Sequence, residues 1–116
     1  MSVTKAWGFL MVAIAFNIMG NLLMKYAASR PFSHRLEVFF SWGFLVGGFF
    51  FGLNLLAYTQ AQVRMPISLA YPVLVGMSVV GVAFGAYYYF GEDIGIKKLI
   101  GMGFIILGIV LIGDGD

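Results

Sequence analysis

Three long stretches of the chain carry no charged side chain: Ala6–Met24, Val38–Val63 and Met65–Gly91. Each is long enough for a membrane crossing, since an α-helix needs ~20 predominantly apolar residues to span the hydrocarbon. A fourth apolar run, Leu99–Gly113, is shorter. Lys97 and Lys98 extend its reach, because their stems can lie along lipid while the ammonium groups sit at the interface. The composition agrees: 61% of the residues are hydrophobic and 10% are charged, against roughly 25% charged in a soluble domain. The expectation is an all-α integral membrane bundle of four helices forming one domain over residues 1–116.

The helices are expected at approximately 4–28, 36–59, 66–90 and 97–112. Pro31 stops the first, because a proline in a helix interior removes a hydrogen bond and clashes with the preceding turn. Pro66 suits the first turn of the third, which ends in the interfacial aromatic cluster Tyr87–Phe90. The connections are too short to hold an extramembrane catalytic domain. Small residues after the first run, Ala27-Ala28-Ser29, suggest a signal-peptide cleavage site, but the length of the run and Lys25 favour a retained helix. With no cysteine, disulfides and thiolate chemistry are excluded. A net charge of +2 is too small to imply nucleic acid. Lys25, Arg30, Arg35, Lys97 and Lys98 fall on one side of a four-crossing topology, and Lys5 and Arg64 on the other. The positive-inside rule then predicts loops 1 and 3 in the cytoplasm and both termini outside.

Polar residues inside the apolar runs carry the functional reading. Asn17, Asn21 and Lys25 advance by about 400° per four-residue step and so form one slowly drifting stripe. Unpartnered amides in hydrocarbon are costly, so the stripe should face protein or water. Two readings fit it. The asparagines can bond across helices as glue, or the stripe can be a polar track that ends in a cation suited to phosphate. Ser68, Tyr71 and Ser78 make a second polar face on helix 3. Pro72 among them frees the carbonyl of Ser68 and is expected to kink the helix. Asn54 adds a mid-membrane amide on helix 2. Gly101 and Gly108 share a face of helix 4, and Gly81 and Gly85 form a small-xxx-small pair on helix 3, both suited to association between copies. The alternative is that membrane helices are simply rich in glycine.

All five carboxylates fall at the ends of the predicted spans or in loops, although proton-coupled cation export usually needs one inside a span. His34 lies in loop 1 and is read as solvated. No metal cluster, phosphate loop or nucleophile–base pair is evident, so no cofactor is implied and an enzyme is disfavoured.

"GNLLMK" in helix 1, "PISLAYP" opening helix 3 and "GMGFIILGIVLI" in helix 4 resemble, in order and separation, the small multidrug resistance family of the drug/metabolite transporter superfamily. That resemblance implies four-helix subunits working as dimers, with Gly101 and Gly108 of helix 4 at the contact. The family's helix 1 glutamate falls on Asn17. Tyr71 matches the tyrosine of its helix 3 motif, but Leu74 stands where the family has tryptophan. "AYP" at Ala70–Pro72 is instead similar to a sister branch, small subunits proposed to flip aminoarabinose linked to undecaprenyl phosphate across the bacterial inner membrane. The resulting expectation is a dimeric transporter or flippase of a polyprenyl-phosphate-linked sugar or related amphipathic lipid. Asn17, Asn21, Lys25, Asn54, Ser68, Tyr71 and Ser78 would line its path. A multidrug or metabolite exporter with altered coupling, and an accessory subunit of a heteromeric transporter, remain alternatives.

Overall fold

A computed structural model describes residues 2–31 and 35–114; His34 lies outside them. Four helices, α1 (Val3–Ala28), α2 (Trp42–Gln62), α3 (Ile67–Phe90) and α4 (Ile96–Asp114), are each long and apolar enough to cross a membrane. At 1.5 Å per residue α1 is about 39 Å long, more than the ~30 Å hydrocarbon thickness.

Local chemistry sets the helix ends. Ser2 caps α1, its hydroxyl accepting the Lys5 N–H at 3.3 Å. The second helix begins later than the apolar run suggests. Arg35–Phe40 forms a 3-10 segment. The α-helix starts only where the Ser41 hydroxyl accepts the Phe44 N–H at 3.3 Å, supplying an N-cap for Trp42. Pro66 is extended (φ −66°, ψ 144°) and lies just outside α3 instead of in its first turn. Its carbonyl accepts the N–H groups of Leu69 and Ala70. Gly91 ends α3 with φ +67°, a left-handed conformation that glycine adopts at little cost.

Within the subunit, α1 is the organising element. It packs most extensively against α2 and next against α3, while α4 leans on α3. Glycines permit the closest approaches. A Cβ at Gly47 would lie 3.2 Å from the Gly20 carbonyl, one at Gly20 would lie 3.2 Å from the Gly47 carbonyl, and one at Gly43 would touch Ala27. Phe16 and Phe50 stack beside this crossing with ring centroids 5.7 Å apart. On the other side of α1, Ile18 fills the space over Gly81 and Leu22 that over Gly85. These two glycines therefore serve α1–α3 packing inside one chain, which corrects the expectation that they mediate contact between copies. Gly76 takes Ile105 and Ile109 of α4 in the same way.

The small core lies toward the end that carries both Ser2 and the α2–α3 connection. It is built from Ala6, Leu10, Ala13 and Ile14 of α1 with Ala57, Ala61, Met65, Ala70, Val73 and Leu74. Along α4, only Met102 is buried.

The backbone contact at Gly20 and Gly47 predicts that Gly47→Leu lowers stability in detergent by about 1–3 kcal/mol, the usual cost of overpacking. Gly8→Ala, whose added methyl meets nothing within 4 Å, should change it little. Thermal unfolding of the two variants checks this.

A polar cleft between α1, α3 and α4

The rotation of α1 is fixed by its two neighbours, and that fixes where its asparagines lie. Gly20 meets α2, Ile18 and Leu22 meet α3, and the side chains of Asn17 and Asn21 enter a cleft of about 670 Å³. Val75, Ser78, Val79 and Val82 are among the α3 residues, and Gly101, Met102 and Ile105 among the α4 residues, that line its walls. Glu92, Asp93 and Lys98 stand where the α3–α4 connection borders it.

Hydrogen bonding within the stripe is specific. The Asn21 amide nitrogen donates to both the backbone carbonyl and Oδ1 of Asn17, each at 2.9 Å. Both Asn21 amide hydrogens are thereby occupied. The Asn17 amide hydrogens and Asn21 Oδ1 meet no protein partner among the described residues, so they can serve a ligand. Ser78 is 5% exposed and its Oγ has no hydrogen-bond partner. A buried hydroxyl in that condition costs free energy, and Ser78 is one of the residues lining the cleft. The deep part of the site thus offers donors and acceptors without net charge.

The expected lysine sits differently. Lys25 does not line the cleft. Its Nζ lies 3.7 Å from Glu92 Oε2, with both side chains roughly half exposed. Gly91 makes this pairing possible: its left-handed turn reverses the chain, and the Glu92 N–H donates back to the Ala86 carbonyl at 3.3 Å. Lys98 lines the cleft directly, with Nζ donating to the Asp93 carbonyl at 3.0 Å.

Other expected residues lie apart. Tyr71 is 55% exposed and, with Pro72 and Gly108, borders a second, shallower furrow of about 360 Å³ between α3 and α4. Pro72 lies inside the continuous helix Ile67–Phe90. Ser68 is exposed and borders neither opening. Asn54 is 5% exposed with an unpartnered Oδ1 and likewise lines neither. Gly101 and Gly108 face the furrows on the α3 side of α4, and a Cβ at either would meet nothing within 4 Å. The sequence reading missed Glu92, Asp93 and Lys98 as site residues. Their one signal was a charged cluster, "GEDIGIKK", closely following an apolar helix.

The small multidrug resistance protein family matches residues 5–105. The chain belongs to that family. It is a multi-pass membrane protein and a small membrane transporter. An uncharacterized protein y4nH of Sinorhizobium fredii is 35% identical over 98 residues, covering 83% of this chain and 84% of the relative. The uncharacterized membrane protein YvaE of Bacillus subtilis is 32% identical over 104 residues, covering 90% and 81%. A protein of Pectobacterium atrosepticum described as a "Probable 4-amino-4-deoxy-L-arabinose-phosphoundecaprenol flippase subunit ArnE" is 31% identical over 109 residues, covering 89% and 95%. No solved structure matches the chain.

Two outcomes test the site's chemistry. Because Ser78 Oγ has no partner to lose, Ser78→Ala should leave thermal stability unchanged or raise it; a loss above about 1 kcal/mol would mean the hydroxyl is bonded. A double-mutant cycle on Lys25 and Glu92 should give under about 1 kcal/mol of coupling, shrinking as salt is added, as half-exposed ion pairs do.

Proposed function

We propose that this transporter moves the headgroup of a phosphate-bearing amphipathic lipid, such as a polyprenyl-phosphate-linked sugar, through the cleft between α1, α3 and α4. One observation carries the reading. The Asn17–Asn21 pair and Ser78, whose buried hydroxyl is unpartnered, line the same space. Neutral donors and acceptors of this kind match sugar hydroxyls and phosphate oxygens. A hydrophobic cation would find no counter-charge in the deep part of the site. Lys98 at the border, with Lys25 nearby on Glu92, supplies the point charges that a phosphate needs on entry.

The lipid's tail can remain in hydrocarbon while the headgroup passes, which suits a subunit too small to enclose the whole molecule. The flippase-subunit description of the Pectobacterium relative supports the same substrate class. The working unit is a dimer, with itself or with a similar small subunit, in the bacterial inner membrane. The sparsely buried α4 offers Ile100, Leu107 and Leu111, all exposed, as an outer ridge for that partner. Tyr71 would meet the substrate at the far end of its path. Asn54 and Ser68 would contribute only after a rearrangement or from a second subunit.

A second reading has one observation in its favour. Glu92 and Asp93 border the cleft, so a cation exporter would have carboxylates at its entrance despite having none in the middle of a span.

Ligand-dependent thermal stability of the purified protein separates the two. An excess of a hundredfold over the dissociation constant should stabilise by about 2.7 kcal/mol. Polyprenyl phosphate is expected to give this shift in wild type, and the shift should be lost in Asn17→Leu and reduced in a Lys25→Ala, Lys98→Ala double variant. Stabilisation by a hydrophobic quaternary cation alone, abolished in Glu92→Gln, Asp93→Asn, would replace the lipid reading with the exporter.

A further inference from the structure

Large aromatic side chains crowd one end of the bundle, at and just before the start of α2. Phe40 is 82% exposed and Trp42 81%, and Phe39 beside them is also exposed. The backbone that carries them is held in place. The Ser41 hydroxyl donates to the Val38 carbonyl at 2.7 Å while accepting the Phe44 N–H, so it ties the Arg35–Phe40 segment to the first turn of α2. Phe39 packs edge-on against Phe44, with ring centroids 5.1 Å apart.

Contacts between elements put further aromatic residues at the same level. A Cβ at Gly43 would lie 3.0 Å from Ala27 Cβ and 3.3 Å from the Tyr26 ring, which sets Trp42 beside the last turn of α1. The Lys25–Glu92 pair sets that turn beside the end of α3, where Tyr87, Tyr88 and Tyr89 are exposed. Arg30 stands over the Tyr26 ring, 5.9 Å from its centroid. This end is therefore aromatic on three elements and carries a guanidinium among them. In water such a surface would be a liability. At a membrane boundary it fits, because amphipathic rings favour the headgroup level and arginine pairs with lipid phosphate. A second copy of the chain could cover one flank of this end, whereas the plane of a bilayer meets all of it.

We propose that the Arg35–Phe40 segment and Trp42 form a membrane-surface anchor, with Phe39, Phe40 and Trp42 seated at the headgroup–acyl boundary and Arg30 on the phosphates of anionic lipids. The segment lies along the bilayer surface and does not stand in water. Glu92 and Asp93 of the cleft's charged border follow Phe90 after a single glycine, so the anchor holds that border close to headgroup depth. It does so whatever the cleft carries, independently of the phosphate-lipid reading.

The chain has no cysteine, so Phe40→Cys gives a single attachment point for a nitroxide spin label at an exposed position. The labelled protein is reconstituted in phosphatidylcholine vesicles. Collision of the label with oxygen, which concentrates in lipid, is compared with collision with a neutral, water-soluble nickel chelate. Phe49→Cys, at an exposed position inside α2, gives the hydrocarbon reference, and free label in buffer gives the aqueous one. At position 40, chelate collision is expected to fall severalfold below that of free label, with oxygen collision below that at position 49. Chelate collision equal to that of free label would overturn the anchor. Shielding from both reagents would mean that protein covers the segment, and would overturn it equally. Replacing part of the phosphatidylcholine with phosphatidylglycerol should lower chelate collision at position 40 further, and adding Arg30→Gln should remove that response. A response that survives Arg30→Gln, or no response in either protein, would overturn the contact with anionic lipid.

Discussion

The close crossing of α1 and α2 at Gly20 and Gly47 is the contact on which the other arrangements rest. Each glycine's missing side chain lets the partner's backbone approach, and in lipid such packing replaces the hydrophobic drive that assembles soluble cores. With one side of α1 committed to α2, the knobs Ile18 and Leu22 engage Gly81 and Gly85 of α3 on another. An α-helix turns about 100° per residue, so fixing residues 18, 20 and 22 leaves no freedom for 17 and 21. The asparagines face the cleft because their apolar neighbours are fully engaged elsewhere.

This arrangement divides the polar groups of the membrane region into two kinds. Asn17 and Asn21 satisfy each other in part, and the proposed headgroup would take up their remaining capacity. Ser78 and Asn54 each hide an unpartnered oxygen, an expensive condition in low dielectric. For Ser78 the proposed ligand in the adjoining cleft would supply a partner. Asn54 borders neither opening, and nothing in a single subunit explains it. The charges are kept apart from this neutral interior. Lys25, Glu92, Asp93 and Lys98 gather at one end, where the α3–α4 connection turns back over α1.

Much of this was legible in the sequence. Long uncharged runs have one economical solution in a membrane, so the four spans followed from them directly. The four-residue spacing put Asn17 and Asn21 on one face of α1, though not their bonding to each other along the helix instead of across helices, and the blocks "GNLLMK" and "PISLAYP" pointed to the family to which the chain belongs. What escaped depended on contacts distant in sequence. Phe39 and Phe40 read as part of helix 2, and only the Ser41 cap shows why the α-helix starts after them. Gly81 and Gly85 look alike whether they meet another copy or α1; the shapes of Ile18 and Leu22 decide it. The Lys25–Glu92 pair needs the left-handed turn at Gly91 and the antiparallel return of the chain, neither of which is visible in the spacing of charges. The polar face read onto helix 3 separated in three dimensions, with Ser78 in the cleft, Tyr71 at the furrow and Ser68 at neither.

A neutral polar wall held in the membrane by α1 is the account's central claim, and headgroup translocation tests it most directly. The measurement uses vesicles containing a polyprenyl phosphate with a fluorophore on its headgroup, reconstituted with wild type or Asn17→Leu. The externally added quencher dithionite reaches only outer-leaflet label unless the headgroup is flipped. Complete quenching with wild type, and outer-leaflet quenching alone with Asn17→Leu, is the predicted result. Equal quenching in wild type, the variant and protein-free vesicles would contradict the account, because the polar wall would then carry no headgroup across.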